Sequence, residues 1–116
     1  MVTLTTGCTE ESPSGEMTTV SISVDYLGTD LVNASVEVAQ GSNGLDAMKK
    51  VTEVQYQDSA YGAFVQGIGG VESDDFYYWA LYVNGSYADR AIDQYEMEEG
   101  MEILWKFEEI QAFPVG

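Results

Sequence analysis

The chain has no histidine, one cysteine, two prolines and only four basic residues, Lys49, Lys50, Arg90 and Lys106. Without histidine it lacks the usual general base and the commonest transition-metal ligand. A lone Cys8 rules out an intramolecular disulfide and a cysteine-based zinc site. Twenty acidic residues against four basic ones give a net charge of -16. Nucleic acid and bare anionic lipid are repelled by such a surface at long range and are poor partners. No run is long and apolar enough to cross a bilayer as a helix.

What is present is a foldable core. The 116 residues are 45% apolar, which excludes global disorder, and this length buries enough surface to fold without staples. The carboxylates are scattered through the chain. They read first as a solvated, self-repelling shell that salt would screen.

From Met17 the pattern alternates. Val20, Ile22, Val24 and Tyr26 fall on one face, and Thr19, Ser21, Ser23 and Asp25 on the other, as in a half-buried strand. After a turn at Leu27-Gly28-Thr29-Asp30, Leu31 to Val38 alternates again, which predicts a first hairpin. Gly41-Ser42-Asn43-Gly44 breaks the strand, and Ser42 or Asn43 can cap a helix over Leu45 to Val54 with a narrow stripe of Leu45, Met48 and Val51. Tyr61 to Val71 holds too many glycines for a helix and reads as one bent or bulged strand. Phe76 to Val83 is apolar or aromatic on both faces, as in a central strand covered on both sides. Asn84-Gly85 signals a hairpin of type I′. Beyond a turn at Glu98-Glu99-Gly100, Met101, Ile103, Trp105 and Phe107 point inward. The expected class is α+β: a mixed or antiparallel sheet whose hairpins pack on one short helix.

Thr5-Thr6-Gly7-Cys8, followed by a linker of Thr, Glu, Ser, Pro and Gly, resembles the end of a lipoprotein signal running into a tether. The charged and apolar parts of such a signal are missing upstream, which reads as a truncated signal peptide. Thr5 stands where the pattern prefers leucine. The resemblance implies a tether over residues 1–16, lipid attachment at Cys8, and an extracellular, membrane-anchored protein whose folded part, residues 17–116, is one domain. Contact with membrane would then run only through the lipid, and stable anchoring needs more than one acyl chain.

Four stretches carry a second resemblance: Gly44 to Lys50 (GLDAMKK), Tyr61 to Ile68 (YGAFVQGI), Tyr78 to Gly85 (YWALYVNG) and Glu99 to Trp105 (EGMEILW). In this order the chain resembles the transcobalamin-like C-terminal domain family, a β-grasp-type ligand-binding module that ends cobalamin carriers and stands alone in prokaryotic surface lipoproteins. Met101 departs from the acidic residue usual after that glycine. The resemblance implies a face, built by the bent strand and the aromatic strand, that closes over a flat ligand such as a corrinoid. In the carriers a helical barrel supplies the other half of the clamp, and no such barrel fits in 116 residues.

The candidate ligand-binding residues are Trp79, Tyr61 and Phe64, with Tyr56 and Tyr87 behind them, because flat conjugated ligands gain from aromatic faces beside glycine-lined backbone. For any single aromatic in an alternating strand, a place in the core is the more ordinary reading. Glu72, Asp74 and Asp75 are oxygen donors suited to a hard cation but lack EF-hand spacing, so a solvated loop is the first reading; Asp89 and Asp93 stand alike. A hydrolase would need a carboxylate pair in a deep cleft. The expectation is a monomeric, non-catalytic cell-surface binding module without a cofactor, which captures a small ligand or docks an envelope protein. A structural or adhesion module with an acidic surface, which predicts no pocket, and an acidic divalent-cation-binding protein remain alternatives.

Overall fold

The computed structural model describes residues 16–110; Cys8 and the tether it was read into lie outside them, Glu16 excepted. Two strands open the fold, β1 (Met17–Tyr26) and β2 (Thr29–Ala39), paired antiparallel. Val20, Ile22 and Val24 are buried, as the alternation requires. The connection is two residues long, Leu27 and Gly28, both at positive φ (52° and 93°). That geometry matches the twist of the strands but costs Leu27 strain that Asn or Gly would not carry.

Helix α1 (Gly44–Val51) starts at a reciprocal cap. Asn43 Oδ1 accepts from the Asp46 N–H at 2.9 Å, and Asp46 Oδ2 from the Asn43 N–H at 3.3 Å. Two otherwise orphaned donors of the first turn are thereby satisfied. Leu45, Ala47 and Met48 are buried on its inner face. The helix ends three residues earlier than the periodicity predicts, at an extended Thr52 whose N–H donates to the Met48 carbonyl at 3.0 Å. Val54 instead finds a strand partner in Ile68. Thr52 and Val54 are β-branched and prefer that extended state once a partner is present.

Beyond the helix the structure corrects the reading most. The segment expected to be one bent strand is a pair, β4 (Gly62–Ile68) and β5 (Val71–Glu72), folded back at Gly69-Gly70 with φ of 61° and 88°. The bulge is real and falls on β4: Tyr56 pairs with Val65 and Gln55 with Gly67, leaving Gln66 as the extra residue. Strand β3 (Val54–Ser59) was not foreseen: it alternates only over Val54-Gln55-Tyr56-Gln57, and almost every side chain on it is exposed. These three form a small sheet in the order β3-β4-β5.

The larger sheet is completed by β6 (Tyr77–Val83), a two-residue β7 (Ser86–Tyr87) and β8 (Glu102–Glu109), in the order β2-β1-β8-β6-β7. Strand β8 lies in the middle, parallel to β1 and antiparallel to β6. Strand β6 is therefore not central. Its Trp79, Leu81 and Val83 are buried in the core, whereas its second face carries a buried Ala80 between half-buried Tyr78 and Tyr82 and has tyrosine rings over it rather than another layer. A 3₁₀ turn (Ile92–Gln94) and Met97 close the core beside α1, where Ile92 and Met97 join Ile22, Met48, Ile68 and Ile103 as almost fully buried side chains. The architecture is a mixed α+β fold of two sheets and one short helix.

Candidate functional site

Where the two sheets diverge, a cavity of about 780 Å³ opens, with its floor made by Trp79, Leu81 and Trp105. Strand alternation aims these three inward from β6 and β8, with Leu81 and Trp105 as cross-strand partners. Ala63 and Val65 of β4 make the opposite wall, and the loop Ala88–Ile92 closes one end. A volume of this size lies within the range usual for small-molecule sites, roughly 300–1,000 Å³.

The loop is held in place by carboxylates. Asp93 Oδ1 accepts from the Ala63 N–H at 2.8 Å and so ties the 3₁₀ turn to the start of β4. Gly62 lets them meet: at φ 113° it has no Cβ, and one placed there would lie 2.6 Å from that same Oδ1. Asp89 accepts from Arg90 Nε at 3.1 Å and from the Tyr95 hydroxyl at 3.0 Å. Those two bonds, the arginine's foremost, hold its carboxyl below the usual range. Asp89 and Asp93 thus buttress the rim, a role that charge spacing alone does not disclose.

Four of the five predicted aromatics converge here. Tyr61, Phe64 and Tyr87 stand at the mouth, 87%, 63% and 60% exposed, while Trp79 lies beneath them at 5%. Trp79 belongs to the core as well as to the floor: its indole N–H donates to the Val71 carbonyl at 2.8 Å, and its ring packs on Phe107 at 4.7 Å. Tyr56 does not join them. It faces α1, where its hydroxyl accepts from Lys49 Nζ at 3.1 Å. Sequence reasoning missed Leu81, Trp105 and the closing loop as parts of a site, although Trp105 was already legible as inward-facing.

Trp105 carries an unmet side-chain demand. Its Nε1 is, among the described residues, the sole buried side-chain nitrogen or oxygen without a hydrogen-bond partner. Leaving such a donor unpaired costs about 1–3 kcal/mol.

Glu72, Asp74 and Asp75 do not converge. Asp74 Oδ1 accepts from the backbone N–H groups of Phe76 and Tyr77 at 2.7 and 2.8 Å, turning the chain into β6. Among the described residues no three acidic or cysteine side chains gather as a metal site would require.

On the outer face of β6, the Tyr82 hydroxyl donates to Glu108 at 2.6 Å and Tyr78 bonds to Tyr87 at 3.2 Å. The bond to Glu108 raises the Tyr82 hydroxyl above its ordinary value of 10.0, and the bond to Tyr87 raises Tyr78. Because the folded state favours the protonated form, stability from these bonds is complete below the unfolded value and declines as pH rises through the folded one. In an alkaline titration followed by tyrosinate absorbance, Tyr78 and Tyr82 should ionise above the ordinary tyrosine value. Tyr82→Phe should remove one late-titrating group; an unchanged curve would contradict the bond to Glu108.

Comparisons with known proteins bear on the family and the fold. The chain belongs to the DUF4430 family, a domain of unknown function, whose profile matches residues 41–109. No curated protein matches the sequence. Among solved structures, haptocorrin in complex with Cbi is similar at a TM-score of 0.75 and 18% identity, over 89% of this chain and 27% of that one. This chain thus spans about a quarter of haptocorrin's length. A Ruminococcus gnavus structure named a "putative metal binding protein" is similar at a TM-score of 0.66 and 14% identity, over 81% of this chain and 99% of that one. At such identities the likeness concerns the fold.

Proposed function

We propose that this protein is a non-catalytic binding module that takes a small, flat, largely apolar ligand, such as a corrinoid, into the cavity between its sheets. The single observation that carries this is an open cavity floored by two tryptophans and rimmed by Tyr61, Phe64 and Tyr87. Exposed aromatic side chains beside a hollow are what a conjugated ring system needs, and a purely structural module has no use for them. The fold shared with haptocorrin, solved with Cbi (cobinamide), supports the same reading. The N-terminal hairpin beside a parallel C-terminal strand, with one helix packed on the sheet, suits a β-grasp relative. We extend the proposal to a single surface domain from Met17 onward, hung from an acylated Cys8.

A half-clamp leaves much of its ligand in water, so binding by the lone module should be weak, with a dissociation constant on the order of 100 µM. The test is to titrate cobinamide while following the indole N–H signals of Trp79 and Trp105 in proton–nitrogen correlation spectra. The Trp105 signal should move, because an unpaired donor gains a partner or a changed surrounding. No movement of either indole at ligand concentrations of about 1 mM would remove the small-molecule reading.

A further inference from the structure

One edge of the larger sheet is left open over the cavity. Strand β7 covers β6 only at Tyr82 and Val83, and one more bond follows, from the Ala88 N–H to the Leu81 carbonyl at 2.9 Å. At the far end of β6, Asp74 satisfies Tyr77: its N–H donates to the Tyr77 carbonyl and its side chain accepts from the Tyr77 N–H. Residues of odd number on β6 therefore direct both backbone groups to this outer edge, as alternation in an antiparallel ladder requires. Trp79 lies between the two covered ends. Its N–H and carbonyl, and the Leu81 N–H, have no partner among the described residues.

Across the gap the same holds for β4. Ala63 sends its N–H away from β3, to Asp93, so Val65, two residues on, directs its backbone groups the same way. Strand β5 covers β4 only at Gly67 and Ile68. The large cavity and a smaller one beside it share Phe64, Val65, Tyr78 and Trp79 as walls, which makes one groove along the β6 edge. Carboxylates stand at both ends, Asp58 and Asp89 at one and Asp74 and Asp75 at the other; among the described residues Arg90 is the one cation along it, and Asp89 already pairs with it.

Proteins normally cover or charge an open strand edge, because it is a template for another strand. We infer that this groove takes an extended peptide segment of a partner protein, with lysine or arginine flanking an uncharged stretch, which adds as a strand to the edge of β6. Main-chain bonds to Trp79 and Leu81 give the affinity, the aromatic rim holds alternate side chains, and the end carboxylates select basic flanks against a net charge of -16. This occupant is independent of the small-ligand reading, although it uses the same opening.

The probe is a short peptide of alternating valine and threonine with a lysine at each end, compared with the same peptide N-methylated at alternate residues along one edge. The protein is the whole chain, nitrogen-labelled. The unmodified peptide should shift the backbone amides of Trp79 and Leu81 and protect them from exchange. Methylating the pairing edge, which removes two backbone bonds, should weaken binding about thirtyfold. Asp58→Asn with Asp75→Asn should weaken it several-fold at low salt and little at high salt. Neither substitution touches the core, so fold is retained. No binding, equal binding of the methylated peptide, or shifts confined to the outer edge of β2 would each overturn the inference. If cobinamide moves the indole signals while the peptide leaves the Trp79 and Leu81 amides unmoved, strand addition fails and the small-ligand reading stands; the reverse result keeps strand addition and removes that reading.

Discussion

Replacing Trp79 with alanine should lower the free energy of unfolding by about 4 kcal/mol, the usual cost of deleting a buried indole. The side chain is nearly sealed, packs on Phe107 and ties β6 to β5 through the Val71 carbonyl. Urea denaturation followed by circular dichroism reads the effect. Phe64→Ala is the informative contrast: that ring is mostly exposed, so stability should change by no more than about 0.5 kcal/mol while cobinamide binding weakens. Equal stability losses in the two variants would mean that floor and rim have been wrongly told apart.

Gly44→Val should cost about 3 kcal/mol, at the upper end of overpacking penalties. A Cβ at this position would fall on the Ile92 Cδ1 atom and lie 2.8 Å from the Ile92 carbonyl oxygen. The neighbours cannot give way easily, because two backbone bonds lock the start of the helix to residues 92–97. These are the Gly44 N–H to the Tyr95 carbonyl and the Met97 N–H to the Ser42 carbonyl, which together make the Asn43–Glu96 bridge. The same segment leads into the loop that closes the cavity, so ligand affinity should fall along with the melting temperature. A Gly44→Val protein of normal stability would show that the helix and the 3₁₀ turn are less tightly apposed than the structure has them.

The local chemistry was legible wherever a signal lies within a few consecutive residues. The first hairpin, a helix cap at Ser42 or Asn43, the Asn84-Gly85 turn (φ of 53° and 86°) and the inward set Ile103, Trp105 and Phe107 all follow from propensity and period, and the structure chooses Asn43 for the cap. Strand β3 was not read, because its alternation lasts only from Val54 to Gln57 and its first residue fell at the end of the expected helix. Gly69-Gly70 was read as a bend within one strand, since glycine permits both a kink and a reversal and only pairing decides between them. For the site, the aromatic inventory pointed to Tyr61, Phe64, Trp79 and Tyr87. It could not separate a sealed ring from an open one, nor foresee that Lys49 would draw Tyr56 aside to the helix.

The amino-acid sequence alone fixed the class of the fold, its acidity, the absence of histidine chemistry and the residues able to make an aromatic face. All of these follow from composition or from contacts between near neighbours along the chain. The tertiary structure decided that β8 sits parallel to β1 in the middle of the larger sheet, that the second sheet splits away, and that a cavity with an open strand edge lies between them. Those outcomes depend on pairings between residues some eighty positions apart, such as Ser21 of β1 with Glu102 of β8. Which distant strands pair is set by the packing of the whole core, and no local pattern encodes it.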